Sequence, residues 1–311
     1  MIEKKLISVL GGNGFLGRYL VNILLSQGYY VKVISRSATL SKQYFTIFKP
    51  GQYKLTNCDI TNFKELEVEL NGTDYVINLV GLLVNQNDNS FQEVHYLAVK
   101  NLIKICRKLE VKKIIHVSAI GADKNSNSSY ARTKYYGEQE IKSFSNYCII
   151  RPSIIVGDED NFVNFFAKMS KNSPFLPLIG GGKTLFQPIW VQDLANIIFY
   201  ILEKNIKSKT LEVGGDEIFS FKNILEVILS ELQLNRKLIP IPFSIAKKMA
   251  FFLEKLPNAV LTRDQVEMLR KDNIISKKND YRKYLEFSPF SFKKIVKKQL
   301  NFMKSKGGHL N

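Results

Sequence analysis

The chain has 311 residues, 45% hydrophobic and 23% charged, proportions that exclude a disordered protein. Its 45 Lys+Arg exceed its 28 Asp+Glu, a formal net charge of +17. Three scattered cysteines (Cys58, Cys106, Cys148) exclude a disulfide framework, and three histidines (His95, His116, His309) without partners at ligand spacing exclude a histidine-built metal site. No apolar run reaches the roughly 18–20 residues of a membrane span, and Met1–Lys5 leads straight into a strand-like run rather than a signal peptide. These features predict a soluble, cytoplasmic protein in a reducing compartment.

Leu6–Leu10 predicts a buried strand, Gly14–Gln27 a helix and Tyr30–Ser35 a second strand, with a short third strand near Tyr53–Leu55. Lys64–Leu70 is helical, Tyr75–Val80 is another apolar strand, and Phe91–Leu109 is a long helix before the strand Lys113–Val117. A second long helix over about Ser129–Phe144 precedes the strand Tyr147–Ile150. Nearly continuous apolar strands separated by helices predict a doubly wound α/β domain with a parallel sheet, of Rossmann type.

After Arg151-Pro152 the rhythm changes. Gly and Pro cluster between Ser173 and Gly182, and helices dominate thereafter: Asp193–Glu203, Phe221–Leu232, Phe243–Leu256 and Thr262–Arg270. The last opens with a capping-box pattern, Thr262-Arg263-Asp264-Gln265. The expected division is a dinucleotide-binding domain over 1–155 and a smaller, mainly helical cap over 156–311 that ends in a basic tail.

The loop Gly11-Gly12-Asn13-Gly14-Phe15-Leu16-Gly17 follows the first strand and opens the first helix. Glycines there allow a tight turn, close backbone approach to a pyrophosphate and close helix–strand packing, while the helix N-terminus faces the anion. The second strand ends in Ser35-Arg36-Ser37 with no acid to bind a ribose 2′-hydroxyl, and Arg18 follows the last glycine. Arg18 and Arg36 either clamp a 2′-phosphate, which favours NADP(H) over NAD(H), or solvate their loops. Asp59, after the third strand, either receives an adenine amine or caps a turn.

Tyr130 and Lys134 stand at i and i+4, on one helix face. A nearby ammonium favours the phenolate and brings tyrosine toward an acid/base range. With the glycine loop, this pair and Arg151-Pro152-Ser153 after the sixth strand, the chain resembles the extended short-chain dehydrogenase/reductases. That resemblance implies Pro152 and Ser153 beside a nicotinamide and Ser118 as the substrate-polarising hydroxyl. The segment His116-Val117-Ser118-Ala119-Ile120-Gly121-Ala122 lacks the second hydroxyl usual in active members.

The finer pattern is similar to the NADPH-binding accessory subunits of respiratory complex I, the alpha-subcomplex subunit 9 family, and their bacterial relatives. Val76–Gly81, Ile115–Ser118, Asp158–Phe162, Gln187–Val191 and Leu261–Glu267 carry the likeness. It implies a tightly held structural or regulatory nucleotide near Val80 and Gly81, respiratory-complex subunits as partners and little or no turnover. The enzyme alternative is an NADP(H)-dependent reductase or epimerase using Tyr130 as acid/base, Lys134 as its tuner and Ser118 as carbonyl donor.

Residues 271–311 hold eleven Lys/Arg and three Asp/Glu, a local net of +8. Without a nucleic-acid-reading motif, this points to an anionic membrane surface or a protein partner, or to a solvated lysine-rich face. With the apolar, lysine-flanked stretch Ala246–Leu253, it predicts a peripheral protein on the cytoplasmic face of the inner membrane, held mainly by a protein partner.

Overall fold

The computed structural model describes residues 5–46, 49–85, 90–256 and 259–304. In chain order the strands are β1 Leu6–Leu10, β2 Tyr30–Ser35, β3 Tyr53–Asn57, β4 Tyr75–Asn78, β5 Lys113–Val117, β6 Tyr147–Pro152, β7 Ile155–Val156, β8 Phe175–Ile179, β9 Leu185–Phe186, β10 Ile189–Trp190, β11 Lys209–Val213, β12 Phe219–Ser220 and β13 Lys237–Ile241. The helices are α1 Phe15–Ser26, α2 Phe63–Leu70, α3 Ala98–Lys108, α4 Ser129–Lys142, α5 Val163–Asn172, α6 Val191–Glu203, α7 Phe221–Leu232, α8 Phe243–Leu253, α9 Arg263–Met268 and α10 Phe292–Lys304.

The chain forms two compact units that interleave. The first takes residues through Pro152, then Leu194–Glu212 and Lys277–Phe287; the second takes Ser153–Asp193, Val213–Ser276 and residues from Ser288 on. The first crossing falls beside the expected boundary after residue 155, but the chain then returns twice, so the units are not two consecutive segments. The returns have a physical basis within the first unit. β11 lies beside β6 at the sheet edge, the Glu212 amide donates to the Asn279 carbonyl at 2.7 Å, and Tyr281 is wholly buried. The Lys113 ammonium, buried on β5, donates to the Ile201 carbonyl at 3.1 Å and to Asn205 Oδ1 at 3.3 Å.

The first unit is a doubly wound α/β domain with strand order β11-β6-β5-β4-β1-β2-β3. From β6 to β3 every neighbouring pair is parallel, with β1 between β4 and β2. The strands bury both faces, as their apolar runs require: Ile7, Val9, Val76, Ile77, Ile114 and Ile115 are inaccessible to solvent. Ser8, equally buried, is satisfied by Thr73 Oγ1 at 2.7 Å. The chain reverses its direction of winding between β1 and β4, which opens a crevice beyond their C-terminal ends where such sheets bind ligands. Burial pushes the thiols of Cys58, Cys106 and Cys148 up to about 12, so all three are inert packing.

The predicted helix Phe91–Leu109 is broken by a π-helical turn over Glu93–Leu97 before α3. The second unit combines helices with three two-stranded ribbons, β10–β7, β12–β9 and β13–β8. Its α9 begins with the expected capping box, Thr262 and Gln265 bonding each other's backbone amides at 3.2 and 3.0 Å. The lysine pairs Lys293-Lys294 and Lys297-Lys298 form the outer face of α10, whose Phe292, Ile295, Val296 and Leu300 are buried in the unit's core. Over 292–301 the basic stretch is therefore a packed amphipathic helix; residues 305–311 lie outside the described residues. Among the described residues no helix is long and apolar enough to cross a membrane.

Candidate functional site

The glycine loop is built by close approach. Gly11 follows β1 at φ +75°, a conformation other residues resist, and its amide donates to the Ile34 carbonyl at 2.8 Å. A methyl on Gly17 would come within 2.6 Å of the Gly12 backbone, so α1 can lie against the loop only with glycine there. Gly14, by contrast, is exposed, and a methyl would meet only the Gly11 carbonyl, at 3.2 Å. Gly14 is the N-cap of α1, and among the described residues no side chain caps the helix. The first-turn amides of Phe15, Leu16 and Gly17, which have no acceptor within a helix, thus lie just beyond the C-terminal end of β1. Phe15 packs edge-on against Tyr19, and Leu16 is buried.

At the neighbouring corner Asn13 Nδ2 reaches Ser37, 3.3 Å from both its carbonyl and its hydroxyl, tying the loop to the turn after β2. Arg36 is exposed in that turn. The Arg18 guanidinium stacks on Tyr44, 4.4 Å from the ring centre. Asp59 makes a turn, its Oδ1 accepting from Thr61 N at 2.8 Å and Thr61 Oγ1 at 2.7 Å.

At the ends of β4 and β5 lies a buried polar cluster. Ser128 Oγ caps α4 by accepting the Ala131 amide at 3.1 Å, which fixes the rotation at which the helix presents Tyr130 and Lys134. Tyr130 is buried, its ring edge-on to Phe91 and His95 at 5.6 and 5.3 Å. Lys134 Nζ is buried 5.9 Å from the Tyr130 ring centre and donates to the Val117 carbonyl at 3.4 Å. Gly81 makes room for that ammonium, since a methyl there would stand 2.9 Å from Nζ. Val80, just before it, donates its amide to Asn78 Oδ1 at 3.0 Å.

Two neutral histidines flank the ammonium. Leu82 N–H donates to His95 Nε2 at 2.9 Å, so the ring proton is on Nδ1, which faces Thr133 Oγ1 at 3.2 Å. His116 Nδ1 lies 3.2 Å from Asn78 Nδ2, an amide whose oxygen is taken by Val80; Nδ1 therefore accepts and Nε2 carries the proton. Burial first, then the Lys134 charge, pushes His95 down to about 2 and His116 to about 3. His116 Nε2 and Ser118 Oγ, two residues apart on one face of the β5 line, are both buried without a hydrogen-bond partner among the described residues. Such groups suit a ligand's polar atoms better than an empty core.

Glu138, one turn beyond Lys134, is wholly buried and receives both Nε and Nη2 of Arg151, at 2.7 and 2.6 Å, while Arg151 Nη1 reaches Glu212 at 3.5 Å. Pro152, ending β6, accepts the Ile120 amide at 3.1 Å. Ser153 opens the second unit, where its Oγ stands 2.6 Å from Asn273 Oδ1 and accepts the Gln187 amide at 3.2 Å. Its hydroxyl is thus occupied by its own unit.

Burial pushes Lys134 down from its ordinary 10.5 to about 8, opposed only in part by Glu138. Between about pH 8 and 10.5 the unfolded chain holds one more proton at this residue than the folded one, so its contribution makes stability rise with pH there. In denaturant titrations without nucleotide, Lys134→Met is expected to flatten that rise relative to the unsubstituted protein; parallel curves would show that Lys134 is not buried as an ammonium.

The model of the NAD dependent epimerase/dehydratase family matches residues 7–214, from β1 through the end of β11. The chain belongs to that family. Among curated relatives of this family member is the mitochondrial NADH dehydrogenase [ubiquinone] 1 alpha subcomplex subunit 9 of Arabidopsis thaliana, 31% identical over 86% of this chain and 70% of the relative. Its Dictyostelium discoideum namesake is 31% identical over 85% and 75%. The NADH-ubiquinone oxidoreductase 40 kDa subunit of Neurospora crassa is 29% identical over 86% and 71%. Among solved structures, the dTDP-glucose 4,6-dehydratase DesIV of Streptomyces venezuelae, with NAD and TYD bound, superposes with a TM-score of 0.75 at 16% identity over 96% of this chain and 97% of that one. The UDP-glucose 4-epimerase of Thermotoga maritima gives 0.74 at 17% identity over 96% and 98%. At such identities these structures bear on the fold alone.

Around the expected residues this epimerase/dehydratase-family chain adds some that sequence reasoning did not single out. Glu138 was legible as the i+4 neighbour of Lys134. Gly137, a glycine inside a helix, was a second signal: a methyl there would strike the His95 carbonyl, so it lets α4 close on the π-helical turn. The bonds made by Asn78 and His95 had no local signal, because β4, the π turn and α4 meet only in three dimensions.

Proposed function

We propose that this protein is an NADP(H)-binding accessory or assembly protein of respiratory NADH:quinone oxidoreductase, with little or no turnover. The observation that carries the reading is the likeness to alpha subcomplex subunit 9 over 86% of the chain. The site fits a dinucleotide: a glycine cradle under an uncapped helix start, then an under-coordinated ammonium and two unpartnered buried groups. Gly11, Asn13, Gly14, Phe15, Leu16, Gly17, Val80 and Gly81 would hold its diphosphate side, and Ser118, Tyr130, Lys134 and Pro152 its nicotinamide side. Bound there, the dinucleotide supplies a nicotinamide able to exchange hydride. Tyr130, with its ring enclosed by Phe91 and His95, and a lone Ser118 hydroxyl favour holding over turnover.

NADP(H) is favoured because β2 ends without an acid and Arg36 stands exposed in the next turn. Arg36→Asp is expected to weaken NADPH about 10–100-fold while leaving NADH within a few-fold, since it exchanges a phosphate partner for a repelling carboxylate. Equal losses by calorimetry would remove the preference. Respiratory subunits are the proposed partners, with the protein peripheral on the cytoplasmic face of the inner membrane and held there mainly by protein contacts. Turnover provides the test. Purified protein should keep its nucleotide without change in redox state when offered ketones, aldehydes or sugar nucleotides. A substrate-dependent change in the nicotinamide absorbance would replace this reading by the reductase or epimerase, with Tyr130 as acid/base.

A further inference from the structure

In the second unit α8 packs in reverse. Its small residues Ala246 and Ala250 are buried against Val266 of α9, whereas Ile245, Met249 and Phe252, at i, i+4 and i+7, stand in solvent. Phe252 is 69% exposed and Ile245 51%, while Ala250 is wholly buried. A helix that only stabilised this unit would turn its large apolar residues inward. An exposed apolar ridge marks a covered face.

Beside the ridge lies an open groove of about 620 Å³, whose walls include Lys247, Lys248, Arg263, Arg270, Phe251 and Phe252 and, among the described residues, contain no carboxylate. Glu267 pairs with Lys247 at 2.8 Å and with Arg270 at 3.1 Å, and Glu254 with Arg263 at 2.6 Å. Four cations against two carboxylates leave the groove positive. Lys255 and Arg263 also lie over the Phe251 ring, at 4.4 and 5.1 Å.

This chemistry selects the occupant. Lysine is depleted at protein–protein interfaces, whereas helices lying on anionic bilayers combine an apolar edge with lysines whose stems run along it and whose ammonium groups meet phosphate. The groove also lies beyond residues 7–214, the part shared with the epimerase/dehydratase family, so it is no part of that family's common site. We propose that α8 is a membrane-docking helix: Ile245, Met249 and Phe252 enter the headgroup–acyl boundary of an anionic bilayer while Lys247, Lys248, Arg263 and Arg270 receive lipid phosphates in the groove. The inference rests on the proposed respiratory role only for the membrane's identity.

The test is cosedimentation of the intact, nucleotide-loaded protein with vesicles of phosphatidylcholine alone or mixed with phosphatidylglycerol. Binding is expected to the mixed vesicles, falling as salt is raised. Lys248→Ala should weaken it about five-fold and Phe252→Ser about ten-fold, with nucleotide content and melting temperature unchanged. Equal binding to both vesicle types, no binding to either, or full binding by both variants overturns the proposal. So does complete competition by inorganic phosphate at matched ionic strength, which makes the groove a free-phosphate site. A concentration-dependent dimer lost in Phe252→Ser assigns the ridge to a second copy and also overturns it. Vesicle binding without association to respiratory subunits would sink the proposed function and leave this inference standing.

Discussion

Gly17→Ala is expected to destabilise the protein by about 2–3 kcal/mol and to abolish nucleotide binding. The new methyl would stand 2.6 Å from the Gly12 backbone and closer still to the Gly11 carbonyl, so α1 must move off the loop. The obstacle is backbone rather than a side-chain tip, which leaves no cheap relief. Moving the helix also moves the first-turn amides from where the proposed nucleotide's diphosphate would lie. Gly14→Ala provides the contrast, since its methyl meets one carbonyl at 3.2 Å; it should fold nearly normally and bind with a smaller loss. Denaturant unfolding with and without nucleotide separates the effects. Ligand at about 100 times Kd adds about 2.7 kcal/mol to a binding-competent protein, and the Gly17 variant should gain none of it. A variant that folds and gains the full increment would show that helix–loop contact does not define the site.

The second large effect lies beneath the cluster. Arg151→Met is expected to cost about 3–5 kcal/mol, because it strips both charge-assisted bonds from the wholly buried Glu138. Glu138→Gln in the same chain should restore most of that loss, since removing both charges leaves none uncompensated. Unfolding of the two single variants and the double variant measures the coupling, and additive losses would show that the pair is not a unit. The Glu138 charge also favours the Lys134 ammonium, so the pair supports the site from one turn away.

The doubly wound domain was readable because its signals are local and repeated: apolar strand runs alternating with helices, and a glycine loop opening the first helix. The capping box at Thr262 was readable for the same reason, being one helical turn of chain. Other features were not, and the reasons are physical. β11 and the segment around Tyr281 belong to the first unit through an edge pairing and a buried ring that no periodicity announces. The helix α10 in the basic tail was not singled out, because its apolar period of Phe292, Ile295, Val296 and Leu300 is interleaved with lysine pairs that dominate the local composition. At the site, Tyr130 and Lys134 were found by spacing, but the residues of the cluster around them, Asn78, His95 and His116, come from β4, the π turn and β5. The bond from the Ser153 hydroxyl to Asn273, 120 residues away in sequence, likewise had no local signal.

Co-migration tests the central claim most directly. Tagged protein recovered from its own cells in mild detergent and resolved on a native gel is predicted to run with the NADH:quinone oxidoreductase, carrying stoichiometric NADP(H), and Gly17→Ala should remove the nucleotide. Protein found only as a free species, in cells with an intact respiratory complex, would contradict the account.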